Sequence, residues 1–347
     1  MLMSDTKKEH FVPRCYLENF ATDRLTVDLF DKWKVQPRRN QRIINVAMEN
    51  EFYDMDLAEL LKLLEPEEYV RAKEDLKAIV GTDQWDDVAA IIGNKKYLEK
   101  DFFSKLESMY ALVLESIIHK SYNGNTWTIR NCKCMSPAEK DLMSVFIAIQ
   151  HVRTRRFRDT LDDMMTGAIQ TMAYKRQLDD DNPLPKESFK VKMSPEHAKL
   201  QHSLIILDPV VMGHLVEILM NHIWVMCINK TNIPFYTSDD PVVKIPHKND
   251  EGFKSFSGFA SDGIEIAFPI SPKLMLCLFD PKVYSQLFTD LQFYEITDPD
   301  EVTYYNWHQI HNCYRYVFSN NTDFHDAERF CVDHPEHQQY LSQIEVL

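Results

Sequence analysis

The sequence predicts an α+β fold, in which a predominantly helical amino-terminal and central region packs with a mostly antiparallel sheet built from carboxy-terminal strands. Apolar residues recur at three- and four-residue spacing through the middle of the chain, and apolar and polar residues alternate in short runs after residue 233. Helices first and strands later is the order of an α+β protein. We therefore expect a single compact domain over residues 1–347, which could be subdivided into 1–232, mainly helical, and 233–347, mainly β with flanking helices.

Local signals place the individual elements. Pro13 opens a short helix, and Leu25, Val27 and Leu29 alternate with polar residues as in a strand. Apolar spacing predicts four helices at 56–64, 66–80, 85–92 and 96–122. A capping residue before proline predicts three more, a long one from Ser136-Pro137 towards Tyr174, one from Ser194-Pro195, and a buried one from Asp208-Pro209 to Asn229. The remaining elements are short strands at 233–236, 242–245, 264–268, 273–279 and 314–318, and helices at 281–288 and 299–311.

Composition excludes several classes of protein. The chain has 347 residues with 39 Lys+Arg against 53 Asp+Glu, a formal charge of −14, which argues against an extended nucleic-acid surface and against docking on anionic lipid. Any site for a polyanion must therefore be local. None of the eight glycines lies in a Rossmann or P-loop pattern. The seven cysteines are odd in number and lie among apolar neighbours, and the first residues lack the apolar core of a signal peptide, so we expect a cytoplasmic protein with reduced thiols.

Two arginines lie on the inward face of the predicted helix that begins at Ser136. This face is apolar and is formed by Leu142, Val145, Phe146 and Ile149. Arg153 and Arg156 continue it on a helical wheel, whereas Arg155 and Arg158 point away. An inward guanidinium must be paired, because its desolvation is costly. Two interpretations stay open: a pocket for phosphate or carboxylate, and a structural pair with a carboxylate of another helix.

Polar residues also form a stripe on the helix that begins at Pro209. This helix is apolar almost all round, which predicts an interior position, yet His214, Glu217 and Asn221 lie on one side of it. Buried polar groups must find partners or line a cavity. The stripe is therefore either a His/Glu pair for proton transfer or a structural network of the core.

A third polar motif is Thr237-Ser238-Asp239-Asp240-Pro241, at the end of a strand-like run. Adjacent carboxylates between strands can bind a divalent cation or act as a general base, and the same residues also form turns. Because side chains alternate in an extended segment, at most one of the two aspartates is expected to point into a shared site. We take Asp239 as that residue and as a candidate to bind a divalent cation; the other patterns of Cys and His match no standard metal site.

Several short motifs follow one another along the chain. The first runs from His10-Phe-Val-Pro13 to Leu17 and Phe20. The others are Asn45-Val-Ala with Phe52-Tyr53, Gln150-His-Val-Arg153, Trp224 followed by Thr237-Ser-Asp239-Asp-Pro241, Phe268-Pro-Ile-Ser271, and Asn306 before Arg315-Tyr-Val. Together these motifs resemble a family of bacterial proteins catalogued only as a domain of unknown function, and the resemblance runs from about residue 10 to about residue 320. It implies cytosolic bacterial proteins, some of them associated with defence against phage, and it establishes no reaction.

His10 has a physical argument of its own. Val12 is held extended because it precedes Pro13, and the apolar stripe of the following short helix fixes the segment to the core. The imidazole then lies beside a docked helix start, where it either takes part in chemistry or serves as a packing or capping residue.

These residues lead to one functional hypothesis, a cytosolic bacterial enzyme with an interior pocket. The expected catalytic residues are His10, Glu217 and Asp239, and the expected ligand-binding residues are Arg153, Arg156, His214 and Asn221. The arginines would bind a small anionic, phosphorylated or nucleotide-like ligand, and the reaction would be hydrolysis or transfer at a phosphate ester, as in a hydrolase or nuclease-like phosphoesterase. The alternative is a non-catalytic sensor or interaction module whose buried polar network is structural. The sequence indicates neither a membrane span nor an oligomeric state.

Overall fold

The computed structural model describes residues 8–54, 65–80, 94–123, 133–177, 189–248, 256–321 and 323–339, with a few isolated positions between these ranges. The strands are β1 Lys8–His10, β2 Thr26–Asp31, β3 Gln36–Arg42, β4 Met48–Asn50, β5 Tyr122–Asn123, β6 Thr126–Trp127, β7 Ile223–Asn229, β8 Thr237–Ser238, β9 Val243–Pro246, β10 Ile264–Ser271, β11 Leu274–Phe279, β12 Gln292–Ile296 and β13 Tyr316–Ser319. The helices are α1 Arg14–Leu17, α2 Pro66–Val80, α3 Ser104–Ser121, α4 Pro137–Val152, α5 Arg155–Gln177, α6 Pro195–Leu207, α7 Pro209–Met220, α8 Pro281–Tyr284, α9 Pro299–Asn312 and α10 His325–Asp333. A π-helical turn, Leu98–Phe103, leads into α3.

The fold is α+β, as the sequence predicts, and two sheets organise it. The larger sheet has the strand order β12-β7-β11-β10-β9, with β12 parallel to β7 and the other pairs antiparallel. The smaller sheet is antiparallel with the order β3-β2-β13-β8. Since β2 pairs with β13, this sheet joins the beginning of the described chain to its end.

The larger sheet is covered on both faces. One face carries Trp224, Ile266 and Leu276 and belongs to the same apolar cluster as the inward residues of α3 and α4. The other face packs against α9 through Val302 and Tyr305. A sheet buried on both faces explains why its central strands are continuous apolar runs.

The predicted buried helix from Pro209 to Asn229 is wrong in two respects. The helix ends at Met220, and Ile223–Asn229 is a strand with every residue buried in the middle of the larger sheet. A fully buried strand and a buried helix give the same apolar run, so the sequence pattern did not separate them. The helix itself lies at the surface, where the side chain of Val210 is 78% exposed.

Other elements follow the sequence more closely. The helix predicted at 66–80 and the starts at Pro137, Pro195 and Pro209 are confirmed. Residues 233–236 form no strand, and the helix expected at 281–288 ends at Tyr284. The helices expected at 56–64 and 85–92 lie almost entirely outside the described residues. Among the described helices none is by itself long and apolar enough to cross a bilayer; α6 and α7 pass that test only together, as a pair bent by 58°.

The start of α4 is fixed by a reciprocal cap. The Ser136 hydroxyl accepts a hydrogen bond from the Glu139 N–H at 3.3 Å, and the Glu139 carboxylate accepts one from the Ser136 N–H at 2.6 Å. Pro137 at the first helical position completes the signal. This cap sets the rotation of α4 and therefore the direction of the polar side chains at its other end.

We predict that Ser136→Ala lowers the free energy of unfolding by about 1 kcal/mol, because the orphan amide of the first turn loses its acceptor. Chemical denaturation measures this change. Ser136→Asp is the control, since aspartate also accepts from the first turn and should leave stability close to wild type. Equal losses in both variants would show that the cap does not hold the helix start.

Candidate functional site

The turn between α4 and α5, formed by Arg153 and Thr154, divides what the sequence predicts as one long helix. Four arginines lie in or next to this turn, and each bonds to a different part of the chain. Their partners are Glu107 of α3 for Arg153, Glu49 of β4 for Arg155, Asp240 after β8 for Arg156, and His202 of α6 for Arg158. The α4–α5 turn therefore joins elements that are distant in the sequence.

Arg153 is the centre of a first group of polar residues, the Arg153 cluster, which comprises His10, Tyr53, Glu99, Glu107 and Arg153. The arginine is only 1% exposed. Its guanidinium lies 3.0 Å from the Glu107 carboxylate, and it donates to the His10 carbonyl oxygen at 2.6 Å. The Tyr53 hydroxyl donates to the Arg153 carbonyl oxygen at 2.5 Å. The inward direction of Arg153 is confirmed, and its partner is a carboxylate of another helix, which favours the structural interpretation.

Three ionisable groups of the Arg153 cluster keep unpaired atoms. The Nε2 of His10, one carboxylate oxygen of Glu99 and the Nε of Arg153 are buried without a hydrogen-bond partner among the described residues. Burial lowers the pKa of His10 to about 4, with the charges of Arg14 and Arg153 adding to the effect. Burial raises the pKa of Glu99 to about 7. The Glu99 carboxyl interacts with the backbone of His10, and a carboxyl with a pKa near neutrality can exchange a proton at physiological pH.

Arg156 lies in a second group, the Arg156 cluster, which comprises His151, Arg156, Asp240 and Lys244. The Nε of Arg156 is 3.8 Å from the Asp240 carboxylate, and the same guanidinium donates to the carbonyl oxygen of Asn312. The Asn312 amide also donates to the Asp240 carboxylate, at 3.0 Å. The Arg156 side chain is 21% exposed, so this cluster can be reached from solvent.

Lys244 and His151 complete the Arg156 cluster around one aromatic ring. The Nζ of Lys244 lies 5.1 Å from the centre of the Phe259 ring, and the imidazole of His151 meets the same ring edge-on with centres 4.7 Å apart. In the part of the chain that the structure describes, no hydrogen bond is seen from the Lys244 ammonium. Among the described residues, Lys244 therefore supplies an amino group whose donors are not used.

Electrostatics within the Arg156 cluster favours the neutral form of three groups. Burial raises the pKa of Asp240 and lowers that of Lys244, while burial and the charges of Lys244 and Arg156 move the pKa of His151 well below its ordinary value. One oxygen of Asp240 and the Nδ1 of His151 are buried without a partner among the described residues. The charge of Arg156 is among the causes that lower the pKa of Lys244, so a bound anion would relieve the repulsion between these two side chains.

Asp239 has a different environment from the one predicted. Its carboxylate accepts hydrogen bonds from the backbone N–H groups of Tyr314 at 2.8 Å, Arg315 at 2.9 Å and Tyr316 at 2.8 Å. These donors occupy both oxygens and fix the start of β13. Since N–H donors occupy the positions that a cation would take, Asp239 is not arranged to bind one, and no group of three metal-ligand side chains occurs among the described residues. The structure places Asp240, the neighbour that we did not select, beside Arg156.

The interior position predicted for His214, Glu217 and Asn221 is wrong. The side chains of His214 and Glu217 are 78% and 72% exposed, and Asn221 is also exposed. They lie on the solvent side of α7, which packs its other side against α4. The expected site residues are therefore not joined by contacts into one group among the described residues: Arg153 contacts His10, Arg156 pairs with Asp240, and the α7 residues face solvent.

Arg158 is buried rather than outward, because the break at the α4–α5 turn changes the rotation of the helix that follows. It is 6% exposed, and its Nε donates to the Nδ1 of His202 at 3.0 Å. The Nε2 of His202 must then carry the hydrogen, which it donates to the Val152 carbonyl oxygen at 2.6 Å. Burial and the charge of Arg158 lower the pKa of His202 to about 3.

The sequence also missed two residues of the Arg156 cluster. His151 lies in the motif beside the selected Arg153, and Lys244 interrupts the apolar run of β9. A lysine between the buried residues Val243 and Ile245 is a signal that could have been used, because such a charge needs a partner or a ligand. For His151 the sequence offered only its place in the motif.

The fold and the two clusters define an α+β protein whose buried ionisable groups are joined by one helix–helix turn. The chain belongs to the family described as protein of unknown function DUF4238, which matches residues 8–323. This match confirms the predicted membership in a family of unknown function over most of the chain. No curated protein and no solved structure was found to match the chain.

We predict that acid weakens the fold through His202. The folded pKa of about 3 lies below the ordinary value of 6.5, so this histidine stabilises the fold above pH 6.5. That contribution is lost as the pH falls, because His202 becomes protonated in the unfolded chain while it stays neutral in the folded chain. Between pH 6.5 and pH 4 the loss is about 3 kcal/mol.

His202→Gln tests this prediction. Glutamine is neutral at every pH, so the variant should lose stability less steeply on acidification than the wild type, by about one proton in the slope. Denaturant unfolding at several pH values measures the slope. Parallel curves for the two proteins would contradict the prediction, whatever their difference in stability at neutral pH.

Proposed function

We propose that the Arg156 cluster binds the phosphate group of a small phosphorylated or nucleotide-like ligand, and that the protein hydrolyses or transfers a phosphate ester there. The observation that carries the proposal is the pair of cations, Arg156 and Lys244, beside the single carboxylate of Asp240. A guanidinium offers two parallel donors to a phosphate, and an ammonium adds a point charge. Both side chains are only partly buried, so a small ligand can reach them.

The same cluster contains groups that can move protons. In hydrolysis, the oxygen of a water molecule attacks phosphorus and the ester P–O bond breaks. The Nδ1 of His151, neutral because of its lowered pKa, would accept the proton of the attacking water. Asp240, protonated more readily because burial raises its pKa, would give a proton to the departing alcohol oxygen. Arg156 and Lys244 would stabilise the charge that develops on the phosphate oxygens.

The cellular setting is part of the same proposal. None of the described cysteines forms a disulfide, which supports a reducing compartment such as the bacterial cytoplasm. The family resemblance adds a role in defence against phage. Neither point identifies the ligand.

A non-catalytic sensor is the second candidate, and one observation favours it. Two of the expected catalytic residues have structural contacts: Asp239 fixes β13, and His10 accepts from Arg153 through its carbonyl oxygen. In a sensor, the Arg156 cluster would bind the phosphorylated ligand without converting it. The enzyme and the sensor would both bind the phosphorylated ligand, but only the enzyme would convert it.

We predict that Lys244→Met weakens the binding of inorganic phosphate at least tenfold. Loss of a charged hydrogen bond costs about 1.5–3 kcal/mol of binding free energy. The melting temperature should not fall, because burial and Arg156 already disfavour the charge of Lys244 in the folded protein. Calorimetric titration with phosphate measures affinity, and Lys105→Met on the exposed side of α3 is the matched control. Equal affinity in the wild type and Lys244→Met would remove the proposed site.

Turnover separates the enzyme from the sensor. The wild type is assayed with p-nitrophenyl phosphate and bis(p-nitrophenyl) phosphate, and His151→Gln should bind phosphate normally while losing the release of nitrophenol. Phosphate binding that depends on Lys244, without release of nitrophenol by the wild type, would favour the sensor.

A further inference from the structure

Positive charge is concentrated in one short stretch of an acidic chain. Residues 32–48 contain five basic side chains and no acidic one, whereas the whole chain has a formal charge of −14. The five are Lys32, Lys34, Arg38, Arg39 and Arg42. This stretch includes the turn of the β2–β3 hairpin and all of β3. The local field of the hairpin is therefore opposite in sign to that of the protein as a whole.

The hairpin presents these charges at the edge of the smaller sheet. β3 is an end strand among the described strands, and Lys34, Arg39 and Arg42 are exposed. Lys32 is buried and donates to backbone carbonyl oxygens, so it belongs to the fold. Three exposed cations thus lie in the hairpin, Lys34 in its turn and Arg39 and Arg42 in β3, and residues 32–48 contain no acidic residue to pair with them.

Further cations beside this row are held rigidly. The buried carboxylate of Asp31 accepts from Arg38 at 2.5 Å and from Arg315 at 2.8 Å. The Arg315 guanidinium lies between the rings of Trp33 and Tyr316, at 4.7 Å and 4.8 Å from their centres. Both guanidiniums remain partly exposed, at 33% and 25%. The single acidic partner is thus shared by two arginines, which leaves the surface with an excess of positive charge.

Aromatic stacking is not available at this surface. Arg315 lies over the Trp33 ring, and Tyr314 packs against it at 5.4 Å. A nucleobase would have to displace these contacts, so an anionic polymer would be recognised through its phosphates. β3 has seven residues and is about 23 Å long, so the contact involves only a few phosphates.

We propose that the β2–β3 hairpin binds the phosphate backbone of a single-stranded nucleic acid, without reading its bases. An extended row of cations matches a flexible chain of phosphates better than it matches a single small anion. Charged residues and Pro37 also protect an edge strand from pairing with another chain. Charged side chains of either sign protect an edge strand, whereas only positive side chains bind phosphate. Reversing the sign of the charge therefore distinguishes edge protection from phosphate binding.

Charge reversal on the hairpin tests the proposal. The variant carries Lys34→Glu, Arg39→Glu and Arg42→Glu, which keeps the edge charged and inverts its sign. The matched control carries Lys105→Glu, Lys190→Glu and Lys192→Glu at exposed positions elsewhere, so that both proteins reach the same net charge. The probe is fluorescein-labelled (dT)20, and anisotropy is measured at several salt concentrations.

The hairpin variant should bind the oligonucleotide at least tenfold more weakly than the wild type, and its salt dependence should be shallower. Loss of three phosphate contacts reduces the slope of log K against log salt by about 2 for a single strand. The control variant should stay within about twofold of the wild type. No binding by the wild type, or equal losses in both variants, would overturn the proposal. Binding to phosphatidylserine vesicles but not to the oligonucleotide would also overturn it.

Discussion

Arg153 carries a charge that is almost completely removed from water at the end of α4, and this constraint determines much of the structure around it. Desolvating a guanidinium is expensive unless an anion and further acceptors compensate. The protein supplies the Glu107 carboxylate from α3, the carbonyl oxygen of His10 from β1 and the face of the Phe103 ring at 4.0 Å. The elements that provide these groups must therefore meet at one place, and the amino-terminal strand is held against the helical region as a result.

The α4–α5 turn gives Arg153 and Arg156 different roles, one inside the fold and one at a partly exposed cluster. Arg153 is buried and paired with Glu107, whereas Arg156 is partly exposed and lies beside Asp240, whose charge also acts on Lys244. The charge of Arg153 is already neutralised by its partners in the fold, so it contributes little to the binding of a ligand. The charge of Arg156 is partly exposed and can contribute more. The break between α4 and α5 makes this division possible, because a continuous helix would direct both arginines to the same side.

The sequence predicts those parts of the fold that depend on local signals. The proline starts of α4, α6 and α7 and the inward direction of Arg153 rest on capping and on helical spacing, and both act within a few residues. The sequence prediction fails where contacts with distant parts of the chain determine the secondary structure. Ile223–Asn229 is a strand because β11 and β12 lie on either side of it, and its own apolar run fits a helix equally well.

The candidate site shows the same limit. The helical wheel identifies Arg153 and Arg156, but the break at residue 154 separates them into two clusters, and no turn residue in the sequence predicts that break. Alternation does not tell which of Asp239 and Asp240 faces inward; the backbone amides of residues 314–316, some 75 residues later, determine the direction of Asp239. The apolar character of α7 predicts an interior position for His214 and Glu217, yet the side of α7 that carries them is exposed.

The most direct measurement compares Arg153→Met with Arg156→Met, each by denaturant unfolding and by phosphate titration. The account predicts that Arg153→Met loses about 3–5 kcal/mol of stability or fails to fold, because Glu107 and the His10 carbonyl lose their buried partner. Arg156→Met should unfold near the wild-type midpoint and bind phosphate at least tenfold more weakly. A stable Arg153→Met protein that no longer binds phosphate, together with an Arg156→Met protein that binds it normally, would contradict the account.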